Sequence, residues 1–226
     1  VWIDGRDGDT GLRVAASTDG VVWRANANVD AVTCQCCWND LAVLGPDRLA
    51  VLYRDRDPRD MAVAVTEDGA RSWERRGTAG AFGWKVDGCP HVGGGLAMFG
   101  ATLHAVVWTG APDRAGLYDV ASADGGRHWS EPFELGGRGA RHGDLAVAGG
   151  ALVAAWDEGA AIYAARSADG KTWSEPLRLS DATARASHPL VVATASGALV
   201  LWTESRAKDG ESGGDDGASR WASVRF

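Results

Sequence analysis

Four cysteines and three histidines hold the side chains of this sequence best suited to chemistry. Cys34, Cys36 and Cys37 stand in Thr33-Cys-Gln-Cys-Cys37, and Cys89 and His91 in Cys89-Pro-His91. His142 and His188 each open an apolar run, His142-Gly-Asp-Leu-Ala-Val147 and His188-Pro-Leu-Val-Val192. Thiolate and imidazole are ligands of soft and borderline metals, so these seven residues are expected to hold copper or, second, zinc. The Cys-x-Cys-Cys spacing matches no standard zinc finger. The same four cysteines also read as disulfides of an exported protein, for example Cys34 or Cys36 to Cys89, or as buried free thiols. Adjacent Cys36 and Cys37 bond to each other only with strain.

A second group is charged. Arg54, Asp55 and Arg59 lie in Tyr53-Arg-Asp-Arg-Asp-Pro-Arg59, Glu158 in Asp157-Glu158, and Arg206 in Thr203-Glu-Ser-Arg206. A planar guanidinium binds a carboxylate through two parallel hydrogen bonds, so these five residues are the candidates for holding a small molecule or glycan. The competing reading is a solvated surface, the usual fate of loop charges. His104 and His128, in a strand and in a turn, read as structural.

Such residues need a scaffold, and the chain builds one by repetition. Ser17-Thr-Asp-Gly-Val-Val-Trp23, Thr66-Glu-Asp-Gly-Ala-Arg-Ser-Trp73, Ser122-Ala-Asp-Gly-Gly-Arg-His-Trp129 and Ser167-Ala-Asp-Gly-Lys-Thr-Trp173 are copies of one turn. In each, Asp can accept bonds from turn amides, Gly permits positive φ, and Trp offers an apolar anchor. Alternating apolar residues precede the copies, as in Ala161-Ile-Tyr-Ala-Ala-Arg-Ser167. This pattern reads as a strand entering a hairpin.

Aligning the turns lays out five units of roughly 45 residues, the length of a four-stranded blade. The second unit opens at Cys36, the third at Cys89, the fourth at His142 and the fifth at Ser187. The first unit lacks an innermost strand and the last an outermost one. Residues 208–217 read as a loop. In an up-and-down blade, the start of strand one and the loop between strands two and three share a face, whereas the repeated turn between strands three and four lies on the other. All the candidate residues fall on the first face, and the strand-one starts among them converge on the mouth of a central channel.

Composition narrows the class. The 226 residues include 11 Trp and 31 Gly, with no long helical periodicity, which fits many short strands joined by tight turns. A net charge of −7 without a Lys/Arg-rich block argues against nucleic-acid binding. No apolar run has the length of a membrane span, and Val1-Trp-Ile-Asp-Gly-Arg6 reads as a strand and loop, not a signal peptide.

The Ser/Thr-x-Asp-(x)-Gly-x-x-Trp turns resemble the Asp-box, or BNR, repeat of the sialidase-like β-propellers. That resemblance implies a single all-β domain over residues 1–226, a propeller of five to six four-stranded blades with the boxes between third and fourth strands. It also implies a structural role for the box Asp residues. Sialidases use three arginines, a Tyr nucleophile with a Glu partner, an Asp acid/base and an Arg-Ile-Pro-like motif. The last is not present, so no catalytic residue is carried over. Thr33-Cys-Gln-Cys-Cys37, Tyr53-Arg-Asp55 with Arg59-Asp60, and Gly88-Cys-Pro90 are similar to segments of exported bacterial sialidase-like proteins, which implies an extracytoplasmic location. Three functions follow as expectations: a metal-binding propeller first, a glycoside hydrolase or glycan-binding module second, and a disulfide-stapled scaffold for a protein partner third.

Overall fold

In the computed structural model, the structure describes residues 1–6, 8–206 and 218–224, the last group together with Arg206 chiefly through the backbone. The expected loop at 208–217 lies outside the described residues, and so does the side chain of Arg206.

Five antiparallel sheets follow one another along the chain. The first holds β1 (Trp2–Asp4), β2 (Gly11–Val14) and β3 (Ala27–Asp30). The second holds β4 (Asp40–Gly45), β5 (Arg48–Arg54), β6 (Met61–Thr66) and β7 (Glu74–Ala79). The third holds β8 (Gly95–Phe99), β9 (Thr102–Thr109), β10 (Gly116–Ser122) and β11 (Phe133–Gly136). The fourth holds β12 (Ala140–Ala148), β13 (Ala151–Glu158), β14 (Ala161–Ser167) and β15 (Leu177–Arg178). The fifth holds β16 (Ala184–Thr194), β17 (Gly197–Arg206) and β18 (Ala218–Val224). Within each sheet the strand order is the sequence order, a meander. Among the described residues there is no helix, hence none long and apolar enough to cross a membrane.

The sheets stack face to face, which explains their composition. The middle strands are buried on both faces, so they read as near-continuous apolar runs such as Ala50-Val-Leu-Tyr53 and Ala62-Val-Ala-Val65. Four apolar cores fill the four junctions between successive sheets. Leu12, Val51 and Tyr53 join the first sheet to the second, and Leu52, Val63 and Leu103 join the second to the third. Leu117, Leu152 and Trp156 join the third to the fourth, and Val153, Ile162 and Val200 the fourth to the fifth. The opening strands β4, β8, β12 and β16 are neighbours in that order. Two carboxylates lace them: Asp40 Oδ2 accepts from Leu96 N at 2.7 Å, and Asp144 Oδ2 from Val191 N at 2.6 Å.

Two strand starts differ from expectation. Cys36 and Cys89 do not open strands; β4 begins at Asp40 and β8 at Gly95. Thr33 bridges Asp55, and Cys34 N donates to Arg54 O at 3.0 Å, so the segment carrying the thiols crosses the end of β5 before it can enter β4.

The repeated turns connect β2 to β3, β6 to β7, β10 to β11 and β14 to β15. All four share one bonding pattern. In the third, Ser122 Oγ donates to Asp124 Oδ1 at 2.9 Å and accepts from Gly126 N at 2.8 Å, while Arg127 N and His128 N donate to Asp124 Oδ1 at 3.0 Å. Gly125 sits at φ 72°, where a side chain is strained. Because Ser122 is buried, Ser122→Ala leaves the Gly126 N–H without its acceptor, and a loss of about 1–3 kcal/mol is expected in urea unfolding. Unchanged stability would mean that Asp124 alone holds the turn. The anchor role differs among the copies: Trp23 is 60% exposed, whereas Trp129 and Trp173 pack against cores.

Candidate functional site

The seven residues expected to share one metal do not form one cluster. Cys34, Cys36 and Cys37 converge, and His142 and His188 converge separately with Asp157. His91 turns its Nδ1 to the Cys89 carbonyl at 2.8 Å. Trp38, the residue after Cys37, stands between the two groups.

The thiol group is tight. Cys34 Sγ lies 3.3 Å from Cys37 Sγ and 3.7 Å from Cys36 Sγ, and the Cys36–Cys37 separation is 3.9 Å. All four cysteines are free thiols; Cys34 and Cys37 are buried and Cys89 is exposed. Cys34 is pulled down to about 5, chiefly by a hydrogen bond from the Cys37 thiol and helped by the Arg59 guanidinium. Cys36 is pushed up to about 11 by burial and by its neighbour Cys89. Cys37, bonded to Cys34 and buried, is pushed up further.

Arg54, expected in an exposed loop as a substrate ligand, is instead buried and borders this group. It is 1% exposed, and its guanidinium donates to three backbone carbonyls: Val92 O at 2.8 Å, Trp108 O at 3.0 Å and Arg59 O. Its carbon lies 5.7 Å from the Trp84 ring and 5.8 Å from that of Trp108. Sequence reasoning places Arg54 in a loop; the structure makes it the last residue of β5, buried against Trp84 and Trp108. Asp55 is also withdrawn, paired with Arg75 at 2.6 Å. Tyr53, beside it, donates to Asp30 Oδ2 at 2.7 Å, and burial pushes its hydroxyl up, the opposite of what a nucleophile requires. Glu158 accepts from Trp156 Nε1 at 3.3 Å and is a member of neither group. The guanidinium of Arg59 stays by the thiols, with Nε and Nη1 buried and without hydrogen-bond partners among the described residues.

The histidine group lines a pocket. His142 and His188 stack with ring centroids 3.9 Å apart and planes at 19°. The Trp38 ring lies 5.6 Å from His142 and 6.3 Å from His188. Both histidines adopt left-handed backbone, φ 49° and 55°, at bulges where the β12–β13 and β16–β17 registers shift. A bulge re-aims a side chain, and here it turns two imidazoles toward each other. Asp157 Oδ2 receives both the His142 ring nitrogen Nδ1 at 2.6 Å and the His188 backbone N–H at 2.9 Å. Burial, then the charge of His142, lowers the His188 imidazole from its ordinary value. Trp38, Asp40, His142, Asp144 and His188 bound a pocket of about 300 Å³. Burial pushes Asp144 up to about 6, with the charge of Asp40 adding to it, and burial raises Asp40 as well.

Trp38, Asp40 and Asp144 were absent from the candidate set, although a signal for the two carboxylates exists. Asp40-Leu-Ala-Val43 and Asp144-Leu-Ala-Val147 are identical tetrapeptides in the opening strands of the second and fourth sheets, and Trp38 stands where the fourth sheet has His142. Of the two remaining histidines, His104 is buried with Nδ1 3.2 Å from Asp119 Oδ1, and His128 pairs with Asp124 in its turn; both are structural.

No family model matches the chain, and no curated protein matches it in sequence. Solved structures do resemble it in fold. A mutant of the Aleuria aurantia lectin, in complex with Fucα1-6GlcNAc, superposes with TM-score 0.60 and 14% identity over 97% of this chain and 72% of the lectin. The GH93 α-L-arabinofuranosidase of Fusarium graminearum with arabinobiose gives TM-score 0.56 and 16% identity over 82% of this chain, which spans 62% of that enzyme. The PL25 ulvan lyase gives TM-score 0.55 and 14% identity over 74% of this chain and 45% of the lyase. At these identities the likeness is one of fold, a propeller-like series of antiparallel meanders.

Proposed function

We propose that the chain is a five-bladed β-propeller module, with its repeated turns serving as Asp-boxes, and that it binds a glycan in the pocket lined by Trp38 and the stacked His142 and His188. The observation that carries this reading is the Trp38 indole, 37% exposed at the rim of a pocket of about 300 Å³. Such a volume suits a mono- or disaccharide. A sugar ring presents an apolar C–H face to the electron-rich face of an indole while its hydroxyls seek polar partners. His142 offers one: with Nδ1 donating to Asp157, its Nε2 is left as an acceptor. Fold neighbours that hold a fucoside and arabinobiose support the ligand class.

Binding is favoured over hydrolysis by the occupation of the carboxylates. Oδ2 of Asp40 and of Asp144 each holds a neighbouring strand's amide, and Asp40 Oδ1 takes Leu41 N at 2.8 Å. These bonds give both carboxylates a role in joining neighbouring strands. The test is calorimetric titration with fucosides and arabino-oligosaccharides after a glycan-array screen, for the wild type and Trp38→Ala. Binding by the wild type and at least a tenfold loss in the variant, about 1.4 kcal/mol, are expected with unfolding unchanged. An array without a hit, or equal binding by the variant, overturns the reading.

A further inference from the structure

We propose that Cys34, Cys36 and Cys37 form a trigonal three-thiolate site for monovalent copper. The site is separate from the glycan pocket and does not depend on it.

Geometry makes the first argument. A point equidistant from the three sulfurs lies about 2.1 Å from each, close to the roughly 2.3 Å of a metal–thiolate bond. The sulfurs are therefore already spaced for an ion, with little rearrangement required. Their nearest approach, 3.3 Å, is well beyond a covalent S–S bond. Cys89 is adjacent to Cys36 but lies outside the group of ligand atoms within 4.8 Å of one another, so a tetrahedral four-thiolate site is not assembled. Three soft ligands in a buried plane suit Cu(I), whereas structural zinc takes four.

The surroundings make the second. Arg54 is a fully buried cation that donates to three neutral carbonyls, and Cys37, Cys34 and Asp60 are the acidic groups beside it. A buried charge needs a compensating one. Arg59 brings a second guanidinium to Cys34, with two buried nitrogens that have no hydrogen-bond partner among the described residues. Two guanidiniums thus stand beside Cys34 and Cys37, where a copper-loaded set of three thiolates would carry net negative charge. Loading exchanges thiol protons for Cu(I), with the protons passing to buffer and no change in oxidation state.

The test uses fully reduced protein, titrated anaerobically with Cu(I)–acetonitrile against a chromogenic Cu(I) chelator. One copper per chain is expected, accompanied by an ultraviolet sulfur-to-copper charge-transfer band. Cys36→Ser, at the least buried of the three positions, is expected to weaken retention at least 100-fold with its melting curve retained, and Cys34→Ser/Cys37→Ser to abolish it. Arg59→Gln is expected to weaken it about tenfold, a readout independent of the thiols. Cys89→Ser is expected to leave it unchanged. Failure of the wild type to retain copper, equal retention by Cys36→Ser, or a preference for zinc that is lost in Cys89→Ser overturns the proposal.

Discussion

Arg54→Ala is expected to cost about 3–5 kcal/mol and to leave little soluble protein, because the buried side chain ties three segments of backbone to one another. Its N–H groups reach Val92, Trp108 and Arg59, which lie before β8, in β9 and after β5. Truncation removes three hydrogen bonds at once, strands three carbonyls at a site from which water is excluded, and opens a cavity beside Trp84 and Trp108. A domain of this size has roughly 5–15 kcal/mol of stability in total, so the loss consumes a large part of it. Arg54→Lys keeps the charge but cannot reach three acceptors with a planar fork, and an intermediate loss is expected. Soluble yield and urea unfolding of the two variants provide the check. Arg54→Ala within 1 kcal/mol of the wild type would show that the carbonyls find other partners.

Asp144→Asn is expected to stabilise the protein above neutral pH and to leave it unchanged in acid. The folded carboxyl titrates at about 6, raised by burial from an ordinary value near 3.8. A raised acid costs stability when it ionises in the folded state. That cost is absent below about pH 4, grows between 4 and 6, and is complete above 6, reaching at most about 3 kcal/mol. The pocket beside Asp144 admits water and reduces it. An amide keeps the oxygen that accepts from Val191 N, so the inter-strand link survives. His188 works in the opposite direction: lowered in the fold, it costs stability as pH falls below its unfolded value. Asp40 lies close enough to share the titration. The informative quantity is therefore the difference in unfolding free energy between variant and wild type, measured from pH 4 to 8. A difference independent of pH would show that Asp144 ionises normally.

The repeated Ser/Thr-x-Asp-Gly turns made the meander of sheets readable, since each copy specifies a local hydrogen-bond pattern that needs no distant partner. The site was readable only in part. Cys34, Cys36 and Cys37 meet because four residues of chain cannot separate them far, and the structure brings them within 3.9 Å. Whether Cys89 joined them depended on a loop more than fifty residues away, and it stays at the edge of the group. The face assignment put His142 and His188 together from the phase of the repeat alone. Arg54 was misplaced because the end of β5 is a packing outcome: a guanidinium in a solvated loop and one caged by two indoles have the same neighbours in sequence.

The sequence by itself determined the meander order of the strands and the turns between them, though not where β4 and β8 begin, because alternation, glycine φ and side-chain capping act within about ten residues. Only the tertiary structure decided which charges are buried, which thiols share a centre and that Trp38 faces the two histidines. Those outcomes depend on how neighbouring sheets stack, and stacking sets solvent exclusion and distance between residues that the chain holds far apart.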